Sequence, residues 1–271
     1  MSDPDAPPAP NNLSWSGMTH RGRVRQNNED TFLCLNFDAS EVRFLGKVGE
    51  SSLDTGDFVF AVSDGMGGAK SGEFASKISA EKITQLLPRS FKQAAQQIAA
   101  GHGEVLNELC HRIHEELLKL GRYYDECRGM GATLSLGWFT PGWLHFAHIG
   151  DSRIYWLPKG DPMKQLTEDH SYVGWERRQG KLNERQARTH PRRSSLMQVL
   201  GAGRQYLEPQ IGSVACGSGD RFLFCTDGVI DGIWDHRLAD MLVKDDAKTI
   251  VEYAVAESGK DNASAVVVEL H

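Results

Sequence analysis

The apolar stretches of this chain are punctuated by acids. Residues 57–63 (DFVFAVS) run into Asp64-Gly65, residues 143–149 (WLHFAHI) into Gly150-Asp151, and residues 221–226 (RFLFCT) into Asp227-Gly228. Asp261 opens the last apolar run, 263–270 (ASAVVVEL), and Glu29 and Asp30 precede another, 31–37 (TFLCLNF). Short apolar runs bounded by turn residues are the pattern of buried strands. A single Asp-Gly is an ordinary turn signal. Its recurrence where apolar strands end is a stronger constraint, because packed strands bring their ends to a common edge. Acids placed at strand ends are expected to converge, and Glu29, Asp30, Asp64, Asp151, Asp227 and Asp261 are the candidates to meet in one cleft.

Such a cleft needs positive charge. Two like charges about 4 Å apart repel by roughly 4 kcal/mol at an effective dielectric near 20. Protonation relieves part of this; divalent cations relieve more and bring chemistry. An all-oxygen donor set favours Mg²⁺ or Mn²⁺, whereas zinc usually brings His or Cys. Gly65 lets the main chain approach closely enough for its carbonyl to join the ligands. Two ions about 3.5–4 Å apart, sharing one carboxylate and one water, make hydroxide available at neutral pH. Arg25, four residues before Glu29, adds a planar cation able to grip two phosphoryl oxygens, although taken alone it reads as a solvated surface residue. The constellation suits phosphoester hydrolysis.

The remaining pattern predicts the frame. Residues 13–18 read as a further strand. Residues 73–87 have helical spacing, with Ser71 as cap and Pro88 as stop. A second helical stretch covers 92–120, with a break near Gly101 and Gly103. Strands at 131–139, 143–149 and 152–157 read as an antiparallel meander, and helices are predicted at 236–243 and 247–258. Runs of strands with segregated helix pairs indicate an α+β fold of two packed antiparallel sheets covered by helices. Residues 38–56 read as an insertion, a surface loop or loose hairpin, and the Arg-, Gln- and Gly-rich residues 170–207 as a mobile helical excursion suited to a lid. Residues 1–12 form an acidic, Pro-rich leader expected to be disordered, and residues 13–271 are expected to form one domain.

Composition narrows the setting. At 24% charged and 40% hydrophobic residues, usage is ordinary for a globular protein, and a net charge of −6 argues against general nucleic-acid binding. The first dozen residues lack the basic and apolar segments of an export signal, and no run of about eighteen apolar residues would span a membrane. A soluble, cytoplasmic monomer is expected. Five cysteines without a CxxC pair fit reduced, buried thiols. Asn12 and Asn262 open Asn-x-Ser triplets that matter only in a secreted chain.

Taken in order, RQNNED (25–30), SDGMGG (63–68), MGAT (130–133), GDSR (150–153), LTEDHS (166–171), CTDG (225–228) and GKDNAS (259–264) make the chain resemble the PP2C or PPM family of metal-dependent protein serine/threonine phosphatases, in its bacterial form, from about Leu13 to Leu270. The resemblance implies a PP2C-like β-sandwich flanked by helix pairs in α-β-β-α layers, with a dinuclear Mn²⁺ or Mg²⁺ centre at one end. It implies that Asp64 bridges the two metals, that Glu29 and the Gly65 carbonyl complete one site, and that Asp227 and Asp261 complete the other. Asp30 would orient the bridging water, Arg25 would hold the phosphate, and Asp151 with Asp227 would take a weaker third metal. Phosphorylated proteins are the implied substrates, with a Ser/Thr kinase as the opposing partner, and residues 170–207 correspond to a variable flap. Two departures stand out. Met66 occupies a position where animal relatives carry a His proposed as general acid, and it cannot donate a proton, so leaving-group protonation is assigned to a metal-bound water. Ala132 replaces a common Thr, with a packing consequence expected.

Other features have plainer readings. His170 is expected to make a structural hydrogen bond; His145 and His148 lie on opposite strand faces. The aromatics of 131–157 read as core. ArgArg at 177–178 and 192–193 is the charge pattern to watch beside a phosphatase cleft. The segment GMGGAKSG (65–72) sits like a phosphate-binding loop, but its spacing fails, since Ala69 rather than glycine precedes Lys70. A catalytically impaired phosphoprotein-binding relative is the other alternative, and it would lack one of the acids.

Overall fold

The computed structural model describes residues 12–38, 40–67, 71–95, 101–203 and 206–271. The leader lies outside the described residues except for Asn12, and so do Gly68, Ala69 and Lys70 of the glycine-rich segment. Strands β1 (Asn12–His20), β2 (Asp30–Phe37), β3 (Val42–Phe44), β4 (Val48–Ser52) and β5 (Asp57–Met66) precede two long helices, α1 (Ser71–Ala95) and α2 (His102–Tyr123). Next come β6 (Gly131–Ala132), β7 (Leu134–Thr140), β8 (Trp143–Ile149), β9 (Arg153–Leu157) and β10 (Lys164–Gln165). Helices α3 (Tyr172–Arg178) and α4 (Glu184–Thr189) and strands β11 (Leu200–Gly201) and β12 (Gln210–Ala215) follow. The chain closes with β13 (Arg221–Cys225), α5 (Asp227–Gly232), α6 (Asp235–Leu242), α7 (Ala247–Glu257) and β14 (Ala263–Leu270).

Two antiparallel sheets result. One has the order β10-β9-β13-β14-β1-β4; the other runs β11-β6-β5-β7-β8-β12, with β2 beside β5 and β3 beside β2. The two-residue period of the central strands explains the layering. In β5, Phe58, Phe60 and Val62 enter the core between the sheets with Phe139, Phe222 and Phe224. The intervening Val59 and Ala61 face the other way, against Ile83 and Leu87 of α1 and Leu106, Leu109 and Ile113 of α2. In β13 and β14, Leu223, Cys225, Ala265 and Val267 face Leu238, Leu242, Ile250 and Val251 of α6 and α7. Strands buried on both faces read as continuous apolar runs rather than alternating ones. The α-β-β-α arrangement agrees with the expectation.

Several local expectations are corrected. Helix α1 runs through Pro88 to Ala95. The interior proline forfeits one backbone hydrogen bond and costs about 3 kcal/mol, which burial of Ile83 and Leu87 on the same helix offsets at about 1.5–3 kcal/mol each. Ser71 is the first helical residue, and its hydroxyl donates to the Glu126 carbonyl (2.7 Å). Residues 92–95 therefore belong to α1, and the second helix begins at His102. The meander is broken: β7 pairs with β8, but β9 crosses to the other sheet and pairs with β13. The crossing point is Gly150, whose φ of 108° is open to few residues with a side chain. Within 38–56, β3 pairs with β2 and β4 with β1, so the segment joins both sheets rather than forming a hairpin of its own. All five cysteines are free and buried.

Candidate active site

The acids sit where the sandwich opens at one end. Arg25, Glu29, Asp64, Gly65, Asp151, Asp227 and Asp261 line one cavity of about 430 Å³, together with Met66, Ser194 and Leu196. Asp30 is buried behind them. Asp64, Asp227 and Asp261, more than thirty residues apart in sequence, therefore share one site.

Each acid is placed by its own motif. Asp30 and Asp64 are directly opposite in the β2–β5 pair, close enough for like charges to destabilise each other. The Asp64 N–H donates to Thr133 Oγ1 (3.0 Å), its carbonyl accepts from the Thr133 N–H (2.8 Å), and Thr133 Oγ1 is 2.7 Å from Ser152 Oγ. Glu29 is held through its main chain, its N–H donating to Asn262 Oδ1 (2.8 Å) and its carbonyl accepting from the Gly65 N–H (3.1 Å) and Ser76 Oγ (2.7 Å). The buried Asn262 also donates to the carbonyls of Arg21 (2.8 Å) and Asn27 (2.9 Å).

The glycines that follow Asp64 and Asp227 serve close approach rather than turns. Gly65 lies within β5, not beyond its end, and a Cβ there would overlap the Gly72 carbonyl. A Cβ on Gly228 would overlap the Asn262 carbonyl. Asp227 likewise opens helix α5 instead of a loop.

Electrostatically the cluster is overloaded. Asp64, Asp151 and Asp227 keep some exposure to the cavity, yet the protein around them withdraws most of their hydration. Burial first, then repulsion from Asp30, Asp227 and Asp151, pushes Asp64 well above the usual carboxylate range. Burial and then Asp151 and Asp261 do the same to Asp227. Burial, with Asp169 next, raises Asp151 to about 7. Asp30 is raised to about 6 by burial, against the stabilising donors Ser264 and Thr226. Burial also raises Glu29.

Among the described residues that line the cavity the cation is Arg25, whose Nη2 donates to Asp261 Oδ2 (2.7 Å) across a half-exposed pair. Among the described residues, no group of three or more His, Cys, Asp or Glu is close enough to cage an ion as it stands. The donor set nonetheless suits hard divalent cations. It is all oxygen, it carries excess negative charge, and Asp30 Oδ1 is buried without a hydrogen-bond partner while Oδ2 accepts from Thr226 and Ser264 (both 2.7 Å).

Sequence reasoning missed the residues that orient the acids: Thr133, Ser152, Thr226, Asn262 and Ser264. The signal was present, since Ser152, Thr226 and Asn262 each adjoin an acid in GDSR, CTDG or DNAS, and Thr133 and Ser264 hydrogen-bond to Ser152 and Thr226. His170 does make a structural bond, its Nδ1 accepting from the Gly150 N–H (3.2 Å). Ala132 is fully buried between Gly65 and Leu200, a packing role.

The model of the Protein phosphatase 2C family matches residues 47–267, and the chain belongs to this family. It is 30% identical over 257 residues to the serine/threonine phosphatase stp of Listeria innocua, covering 93% of each chain. It is 29% identical over 265 residues to the serine/threonine protein phosphatase PstP of Mycobacterium tuberculosis, covering 95% of this chain but only 45% of that protein. This chain thus spans under half the length of the mycobacterial relative. Among solved structures, M. tuberculosis PstP/Ppp superposes with a TM-score of 0.76 at 27% identity, covering 96% of this chain and 99% of that one. The PstP catalytic domain in complex with 2 manganese ions superposes at 0.73 with 25% identity, over 96% and 98% of the two chains.

Proposed function

We propose that the protein is a serine/threonine phosphatase that hydrolyses phosphoserine and phosphothreonine in proteins, with Mn²⁺ or Mg²⁺ held by the acid cluster and a Ser/Thr kinase supplying its substrates. The observation that carries this reading is the convergence of Glu29, Asp64, Asp151, Asp227 and Asp261 on one cavity, with Asp30 behind it, against one half-exposed arginine among the described lining residues.

Asp64 would be shared by two cations, one also held by Glu29 and the Gly65 carbonyl and the other by Asp227 and Asp261, and Asp151 with Asp227 would hold a third. When bound, such a pair supplies charge neutralisation and a water acidic enough to act as nucleophile at neutral pH. Asp30, fixed through Oδ2, would offer the unpartnered Oδ1 as the acceptor that orients such a water. Arg25 exchanges Asp261 for two phosphoryl oxygens, which its planar fork matches. Met66 in the cavity wall has no proton to give, so the leaving alkoxide is protonated from cavity water.

The test is phosphate release from matched phosphoserine, phosphothreonine and phosphotyrosine peptides with manganese, with magnesium and with chelator. Cation-dependent turnover of the first two is expected. Chelator-insensitive turnover, or none with any peptide, contradicts the reading.

A further inference from the structure

The flap arginines are engaged in different ways. Arg177 pairs with Asp235 (3.1 Å), Arg178 pairs with Glu168 (3.0 Å) and donates to the Asp169 carbonyl (2.9 Å), and Arg192 covers the Tyr172 ring at 3.7 Å. Arg193 faces the acids. Its Nη1 donates to Asp231 (2.7 Å) on α5, the helix that Asp227 opens, and the next residue, Ser194, lines the acid cavity.

The backbone carrying Arg193 is well anchored. The Tyr172 N–H donates to the Ser195 carbonyl (3.0 Å), the Met197 N–H to the His170 carbonyl (2.7 Å), and the His170 N–H to the Gly150 carbonyl (2.6 Å). These bonds tie the loop to the corner that precedes Asp151. The tip is less constrained: the Arg193 side chain is 43% exposed, and a half-exposed ion pair contributes little to stability. Besides Asp231, the guanidinium is stabilised by Asp227 and Asp261, so its charge is felt within the cavity.

We propose that Arg193 is a specificity-determining residue that leaves Asp231 to take a second negative group, a carboxylate or a phosphate, on the substrate chain beside the scissile phosphoester. The inference rests on the phosphatase reading above. A peptide rich in negative charge is repelled by the acid cluster unless a cation meets it at the rim. Exchanging one anionic partner for another keeps the guanidinium paired, and its fork accepts carboxylate and phosphate alike. Arg25, from the loop before β2, then serves the scissile phosphate while Arg193, from the flap, serves its neighbour.

The test compares kcat/KM for phosphoserine peptides that are neutral around the phosphoserine, carry an adjacent glutamate, or carry a second phosphoserine. The wild-type protein is expected to favour one or both charged peptides by about tenfold or more, the effect of one charge-assisted hydrogen bond, and the preference should fade with added salt. Arg193→Ala should bring the ratio near one, Arg193→Lys should retain part of it, and Asp231→Asn, which frees the arginine, should increase it. The two charged peptides distinguish carboxylate from phosphate as the group taken. Equal turnover of all three peptides by the wild type, or a full preference surviving in Arg193→Ala, overturns the proposal. Failure of the wild type to turn over even the neutral peptide overturns the phosphatase reading instead.

Discussion

Arg153 and Asp169 are buried together, and every strong group there has an answer. Arg153 donates from Nε (2.8 Å) and Nη2 (2.6 Å) to the two Asp169 oxygens and from Nη1 to the Tyr155 hydroxyl (2.7 Å). Gln165 adds a donor to Asp169 (3.0 Å). Burial alone would raise the Asp169 carboxyl, but Arg153 beside it holds it below its usual range. Asp151 and Asp227 border the same small cavity as Arg153 and Asp169, yet with Asp64 they are pushed the opposite way by burial and by one another. A buried charge satisfied from within is structural. A buried surplus of one sign, opening on a cavity, is a site whose balance comes from outside the chain.

The contrast breaks if neutralising one carboxylate from each group has the same effect. Asp227→Asn is expected to lower cation-dependent phosphate release by about 10³-fold or more, since metal-assisted charge stabilisation supplies several kcal/mol. In chelator the same variant should melt at or above the wild-type temperature, because a repelled charge has been removed. Asp169→Ala should do the reverse, costing about 3–5 kcal/mol by leaving Arg153 buried and unpaired, read by urea unfolding. Arg25→Ala, which removes a cation from the acid cluster, should lower kcat/KM for a phosphopeptide by about 10–100-fold, the loss of one charge-assisted interaction.

The smallest effect concerns a buried group that stays neutral. His148, between Ser135 Oγ (2.9 Å) and the Gly150 carbonyl (3.0 Å), is pushed down to about 3 by burial and then by His170. The unfolded chain protonates this imidazole near pH 6.5 and the folded chain does not. Its contribution is therefore complete above pH 6.5 and declines as pH falls towards 3, by about 2 kcal/mol between pH 6.5 and 5. Unfolding of wild type and His148→Gln at pH 7 and pH 5 should show their stability difference narrowing by about that amount.

The two charge groups also differ in how legible they were. Asp64, Asp151 and Asp227 were found because each follows an apolar run beside glycine, and Asp261 because it precedes one, a local signal that survives without knowledge of the fold. Arg153 and Asp169 carry no such mark, since their partnership depends on β9 leaving the sheet of β7 and β8 at Gly150. Gly65 and Gly228 read as turn residues, with close approach expected at Gly65 for its carbonyl as a ligand; that both let backbones from distant motifs meet is visible only in the packed structure. The helix past Pro88 is likewise set by tertiary burial that overrides a local stop signal.

Counting manganese ions bound per chain by calorimetric titration tests the cation cradle most directly. At least two are expected for the wild type, with clear loss of stoichiometry or affinity in Asp64→Asn. Binding of less than one ion, or a titration unchanged by that substitution, contradicts it.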